Sequence, residues 1–364
     1  GPNVMWEIDN KQRCKSGTCY PADNGTFTDD FSKLGLTTGR PAYGTAFLDN
    51  REVAIAVLPG GDDPGDSAQP QAGRVVYIVR LDTGEKIAEF SNTTGNVKYL
   101  TGGGAELSYH FTGSPAIYSN VPGVVSTRAF VGDAGGRLWR IDMRPSNPDD
   151  WTMELFFDTY DDGPLNAESG LDRQPILGAP SLALNAADGH LAVVFGNGGI
   201  DHIRTASKAD VGVFSVSESL GGGLDDVSAT MNWVQVLESN ERLTGEALVF
   251  NKSAYFTTYL ADPLDACAAG SGRIYGLHFT SSSGNSPLGT MDADNDPTTL
   301  GTVGYVGTGE AVPFGVQIIE RPSCQPQGGL SGLGDVANNA NGVARGELQL
   351  VVNVAKGDGF DAKS

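Results

Sequence analysis

The sequence predicts an all-β chain wound as a β-propeller, and three observations carry that prediction. Glycine makes up 50 of 364 residues, about twice its usual share of roughly 7%, which without a collagen repeat means many tight turns between short strands. No long window places apolar residues at the helical spacing of i, i+3, i+4 and i+7. An aromatic-centred strand recurs, on Tyr77, Trp139, Phe214 and Tyr275, at intervals of 62, 75 and 61 residues.

Each element of the unit can be justified in turn. The aromatic strands are "GRVVYIVRLDTGE" from Gly73, "GRLWRIDM" from Gly136, "VGVFSVSES" from Val211 and "GRIYGLHFTSSSG" from Gly272. An alternating run precedes each one: "EVAIAVLPG", "TRAFVGD", "LAVVFGNGG" and "SAYFTTYLA". Alternating apolar runs bounded by glycine or aspartate form adjacent antiparallel strands. Upstream of each pair stands a shorter strand opened by glycine: "GRPAYGTAFL", "GSPAIYS", "GAPSLAL" and "GEALVFN". Small sheets repeating in one strand order are the mark of radial repetition, and a β-sandwich does not repeat its order. At roughly 50 residues per blade the chain holds about seven blades in one domain, residues 3–364. The degenerate remainder falls in terminal segments such as "GELQLVVNVAKGDG".

Charge narrows the function classes. With 24 basic and 44 acidic residues the net charge is -20, and such a surface repels a phosphate backbone, so nucleic acid is excluded as a partner. No run of about 18 apolar residues is present, so no membrane-spanning helix is expected. Gly1-Pro2 reads as the scar of a cleaved tag. The cysteines are Cys14, Cys19, Cys267 and Cys324. The spacing in "CKSGTC" suits a hairpin disulfide better than a zinc knuckle, so Cys14–Cys19 and Cys267–Cys324 are expected as disulfides of an oxidising compartment. Other pairings stay open. Residues 11–30, which hold the first pair, are expected to be a stapled loop insertion.

Five stretches, in order, resemble one family. They are "MWEIDN" with "LGLTTGRPAYG", then "GRVVYIVRLDTGE", "FVGDAGGRLWRIDM", "PILGAPSLALNAADGHLAVVFGNGG" and "ERLTGEALVFNKSAYFTTYLADPLDACAAGSGRIYGLHF". Together they resemble the type IV pilus biogenesis factors of the pilus tip, the PilY-type tip adhesins. The third carries the fold signature Gly132, Asp133, Gly136, Trp139 and Asp142. The resemblance implies a modified β-propeller forming the C-terminal part of a secreted bacterial protein of the periplasm, outer membrane and cell surface. It implies work in pilus priming, surface adhesion and motility. Its implied partners are minor pilins, the N-terminal region of the same full-length protein, and host or abiotic surfaces.

In that family a calcium loop lies just before the Gly-Asp strand, because alternate acids around a tight turn converge their oxygens on one hard cation. The acid positions fall here at Ser119, Val121, Gly123 and Thr127, and all four lack a carboxylate. Calcium is therefore not expected there. The stretch "DADNDP" places Asp292, Asp294 and Asp296 at positions 1, 3 and 5 of a calcium loop, but Pro297 stands where glycine is usual and Val303 where glutamate closes the site. Two readings stand: a partial calcium loop, or a turn whose acids bond their own backbone. Asp133 is expected to accept backbone N–H bonds in its turn, Asp142 to pair with Arg140 on one strand face, and Trp139 to pack between blades.

Enzymatic patterns are missing. There is no adjacent cysteine pair, no Gly-x-Ser-x-Gly and no phosphate loop. The histidines His110, His190, His202 and His278 are scattered. The expectation is a non-enzymatic protein working by protein or surface contact, with no firm cofactor. A quinoprotein-like enzyme or small-molecule binder, and a periplasmic scaffold propeller, are the alternatives.

Overall fold

The computed structural model describes residues 6–9, 12–15, 18–21, 30–48, 50–65, 71–100, 103–120, 123–167, 172–199, 209–220, 227–262, 270–281, 305–321, 347–356 and 359–363. Six sheets follow one another along these residues. The first holds β1 (Trp6–Ile8), β2 (Gln12–Lys15) and β3 (Thr18–Pro21), and the second β4 (Ala42–Leu48), β5 (Arg51–Pro59), β6 (Val75–Arg80) and β7 (Lys86–Ser91). The third is built from β8 (Val97–Tyr99), β9 (Ala116–Tyr118), β10 (Arg128–Gly132), β11 (Arg137–Asp142) and β12 (Thr152–Asp158). The fourth comprises β13 (Ser181–Leu184), β14 (Leu191–Gly196), β15 (Gly212–Leu220) and β16 (Val227–Val236). In the fifth, β17 (Glu241–Leu243) and β18 (Leu248–Phe250) both pair with β19 (Ser253–Leu260), which continues to β20 (Ser271–His278) and β21 (Tyr305–Gly309). The sixth contains β22 (Val312–Arg321), β23 (Glu347–Lys356) and β24 (Gly359–Lys363). The only α- or 3-10-helical element among the described residues is one turn at Pro148–Asp150, and no helix there is long and apolar enough to cross a membrane.

The sequence unit maps onto strand order. Its short glycine-opened strands are β4, β9, β13 and β18, its alternating strands β5, β10, β14 and β19, and its aromatic strands β6, β11, β15 and β20. The first strands touch in series, β4 with β9, β9 with β13 and β13 with β18. The sheets therefore radiate from an inner ring, as in a β-propeller. Residues 11–30, expected as a loop, contribute β2 and β3, which hydrogen-bond to β1 as a three-stranded sheet.

The core lies between sheets. Tyr77, Trp139, Phe214 and Tyr275 are all almost fully buried. Trp139 fills the space between the second and third sheets with Val57, Val76 and Ile78. Phe214 packs against Phe157 and Phe195 between the third and fourth. Tyr275 stacks on Phe256 between the fourth and fifth, and Tyr77 meets Phe31 with Trp6 of β1 beside it. Bulges fall beside three of these aromatics, at Ile78/Val79, Leu138/Trp139 and Ser215/Val216. A bulge sharpens local twist, and twist is what lets the outer strand of a radiating sheet swing away from the axis.

Truncating an aromatic at such a wedge leaves a void that neighbouring sheets cannot close. Phe214→Ala is expected to cost about 3–5 kcal/mol, seen as a lower urea midpoint at unchanged slope. Leu184, 52% exposed at the end of β13, serves as the contrast: Leu184→Ala is expected to change stability by less than about 0.5 kcal/mol.

Candidate functional site

The turn after β10 shows what the fold signature does. Asp133 is fully buried, and its Oδ1 accepts the N–H groups of Gly135 at 2.8 Å and Arg137 at 3.0 Å. Its Oδ2 accepts from Trp139 Nε1 at 2.8 Å. Gly136 takes a φ of 77° to close the turn, a backbone setting open to glycine at little cost. Burial pushes the Asp133 carboxyl up to about 6, against the pull of its Trp139 and backbone bonds. Asn197 holds the matching place in the fourth sheet, accepting Gly212 N–H at 2.8 Å and donating to the Tyr160 hydroxyl at 3.0 Å. The sequence could indicate an acceptor at Asp133, but not the ring N–H it also binds.

Asp142 and Arg140 meet, at 3.4 Å, as part of a larger assembly. Arg140 is fully buried and also pairs with Glu218 and, at 3.1 Å, with Glu154. Arg128 lies directly across the ladder from Asp142 and donates to Glu218 at 2.6 Å, its guanidinium over the Tyr118 ring. Burial raises the Asp142 carboxyl, but Arg144 and Arg140 more than offset it and hold it below its ordinary value. Glu218 sits 78 residues from Arg140, so sequence reading missed it.

The calcium-loop positions tell a similar story. Ser119 donates to the Ser126 hydroxyl at 3.4 Å, Gly123 takes a φ of 84°, and Thr127 donates to Asn120 Oδ1 at 3.3 Å. Arg128 donates to the same Asn120 oxygen at 3.3 Å. Val121 lies outside the described residues, as do Asp292, Asp294, Asp296, Cys267 and Cys324. Among the described residues no group of three or more His, Cys, Asp or Glu side chains is placed to hold a metal ion. The backbone register of β2 and β3 sets Cys14 opposite Cys19.

A different site assembles where the first strands begin. Four entry segments are equivalent: Thr38-Gly39-Arg40, Thr112-Gly113-Ser114, Leu177-Gly178-Ala179 and Thr244-Gly245-Glu246. The glycines are required by close approach. A Cβ on Gly39 would lie 2.7 Å from the Gly113 carbonyl oxygen, and one on Gly245 would lie 2.6 Å from Gly315 Cα. The segments are also stitched together, with Arg40 N–H donating to Ser114 Oγ at 3.0 Å and Ser114 N–H to the Leu177 carbonyl at 2.9 Å. With Phe195, Gly196, Gly198 and Leu243 they line a mouth of about 450 Å³. Its only charged lining side chains among the described residues are Arg40 and Glu246. These pair across it, from the second sheet to the fifth. Glu246 Oε1 also accepts the Ala179 N–H at 3.2 Å. The sequence revealed the repeated segment, but no local signal joins residues 206 positions apart.

No protein-family model and no curated protein matches this chain. Among solved structures it is similar to the C-terminal domain of Pseudomonas aeruginosa PilY1, at 13% identity and a TM-score of 0.45, over 99% of this chain and 92% of that one. It is also similar to the quinohemoprotein alcohol dehydrogenase ADHIIG of Pseudomonas putida HK5, at 13% identity and a TM-score of 0.44, over 91% and 41% of the two chains. A third similarity is to BamB from Moraxella catarrhalis, at 11% identity and a TM-score of 0.32, over 94% and 84%.

Two outcomes follow from the site geometry. Asp133 has a folded pKa near 6, above an unfolded value of about 3.9, so the folded state binds the extra proton and stability falls as pH rises through that window. The stability difference between wild type and Asp133→Asn should therefore shrink from pH 4 to 6 and stay constant above it, as read from urea midpoints. Because the family loop lacks acids, a calcium chelator should move the melting temperature by less than about 2 °C. A fall of many degrees would direct attention to Asp292, Asp294 and Asp296.

Proposed function

We propose that this chain is a non-catalytic recognition propeller of a type IV pilus tip or assembly factor, binding proteins at the face where its first strands begin. The observation that carries the reading is the set of four equivalent entry segments. Gly39, Gly113 and Gly245 press against neighbouring backbone, while the side chain after each of the four glycines differs: Arg40, Ser114, Ala179 and Glu246. A rigid frame with variable chemistry at its loop ends is how a propeller presents a binding surface. The five ordered motifs that resemble the pilus-tip family point to minor pilins, and to the N-terminal region of the same full-length protein, as partners. A periplasmic and cell-surface setting accords with them.

The deeply buried acids support a role without catalysis. Asp133, Asp142, Glu154, Asp158, Glu218 and Glu241 each face N–H, O–H or cationic donors that hold the sheets together. A general base needs a carboxylate or imidazole open to substrate, and these are committed to structure. The reading calls for no cofactor.

The test is affinity capture of the chain from cells that make it, with mass spectrometry of what co-purifies. Minor pilins should be enriched, and deletion of the gene should remove surface pili. Quinone absorbance in the purified protein together with dye-linked alcohol oxidation would overturn the proposal in favour of a quinoprotein-like enzyme. Capture of outer-membrane assembly proteins without pilins would favour a scaffold instead.

A further inference from the structure

The mouth between the entry segments has a chemistry more specific than a general protein-binding face. Leu177 is its half-buried apolar wall, backed by the nearly buried Phe195 and Leu243, and Glu246 stands at its rim. Glu246 is anchored at one oxygen: its Oε1 accepts the Ala179 N–H at 3.2 Å. Arg40 is not. Its side chain is 75% exposed, against 38% for Glu246, and its guanidinium meets Glu246 Oε1 from across the opening. An exposed pair of this kind is worth little to stability, so Arg40 loses little by moving away.

From these observations we propose that the mouth is a docking site for a basic side chain of a partner protein. A lysine or arginine would take the place of Arg40 on Glu246 and lay its methylene stem along Leu177. Three points support this occupant. The seat on Glu246 already accepts a cation, supplied by the chain itself. An apolar wall beneath a carboxylate suits a side chain with an aliphatic stem and a charged end. The net charge of -20 steers cations toward the protein and anions away from it. The inference rests on the recognition reading above and specifies what the partner must present.

The test titrates the purified chain with N-acetyl-lysine methylamide, following the amide resonances of Gly178, Ala179, Glu246 and Ala247. The norleucine and glutamate counterparts, with the same blocking groups, are run alongside. The lysine probe should shift these resonances, more weakly as salt is raised, and the two counterparts should not. Glu246→Gln should weaken its binding several-fold, whereas Arg40→Ala should strengthen it by removing the internal competitor. Both variants should keep the wild-type melting temperature, because both side chains lie at an open rim. Weaker lysine binding in Arg40→Ala, a preference for the glutamate probe, or no shift at 50 mM lysine probe would each overturn the proposal. Failure here is distinct from failure of the pilus reading. Pilins that co-purify while the lysine probe stays silent would sink this site alone. A responsive mouth on a chain that captures no pilin would sink the partner and leave the site.

Discussion

The architecture depends on how closely adjacent sheets approach at the inner ring. Sheets that radiate from a centre are crowded at their first strands and splayed at their last. At the crowded end there is no room for a Cβ: one on Gly113 would stand 2.4 Å from the Ile176 carbonyl oxygen, inside the 3.0 Å that real Cβ atoms respect. Farther out the gap widens, and Trp139, Phe214 and Tyr275 fill it. Burying such side chains supplies on the order of 2–3 kcal/mol each. Glycine within and aromatics without are thus two consequences of one wedge-shaped gap.

The same geometry explains the buried charge between the third and fourth sheets. Arg128, Arg140, Glu154, Glu218 and Asp142 are all removed from solvent. Desolvating these groups costs several kcal/mol per ion, which good geometry can roughly offset but seldom exceeds. The assembly is therefore weak evidence for stability. What it does supply is register, because Glu218 of β15 reaches Arg128 of β10 and Arg140 of β11 together, and a slipped sheet would leave a buried charge alone.

Legibility from sequence followed the distance between interacting residues. The first three strands of a sheet carry local signals, namely a glycine opening, alternation and a central aromatic, and they were readable. The fourth strands share no pattern: "KIAEFS", "TMELFFD" and "VSATMNWVQV" have little in common, and while β7 and β16 each have one neighbour, β12 lies between β11 and β8. β8 was unreadable for another reason. It has three residues and pairs in parallel with the outer edge of β12, so the link between β7 and β9 also completes a sheet it precedes in sequence. Residues 11–30 were expected as a stapled loop because the two short strands that hold Cys14 and Cys19, "QRCK" and "TCYP", carry no alternating apolar run. For the site, the Thr-Gly and Leu-Gly entry segments could be aligned, but that alignment says nothing about which residues meet across the opening.

That separation explains why the opening can be specialised without disturbing the fold. Gly39, Gly113 and Gly245, which precede three of the variable positions, are fixed by crowding against neighbouring backbone. Ser114 is nearly buried and spends its hydroxyl oxygen on Arg40 N–H, so it belongs to the frame. Ala179 lends only a backbone N–H. Among the described residues only Arg40 and Glu246 extend charge over the mouth, and they come from different sheets. Replacing either would alter what the opening attracts while the aromatic wedges and buried ion pairs stayed in place. The fold therefore constrains where recognition occurs, and two side chains decide what is recognised.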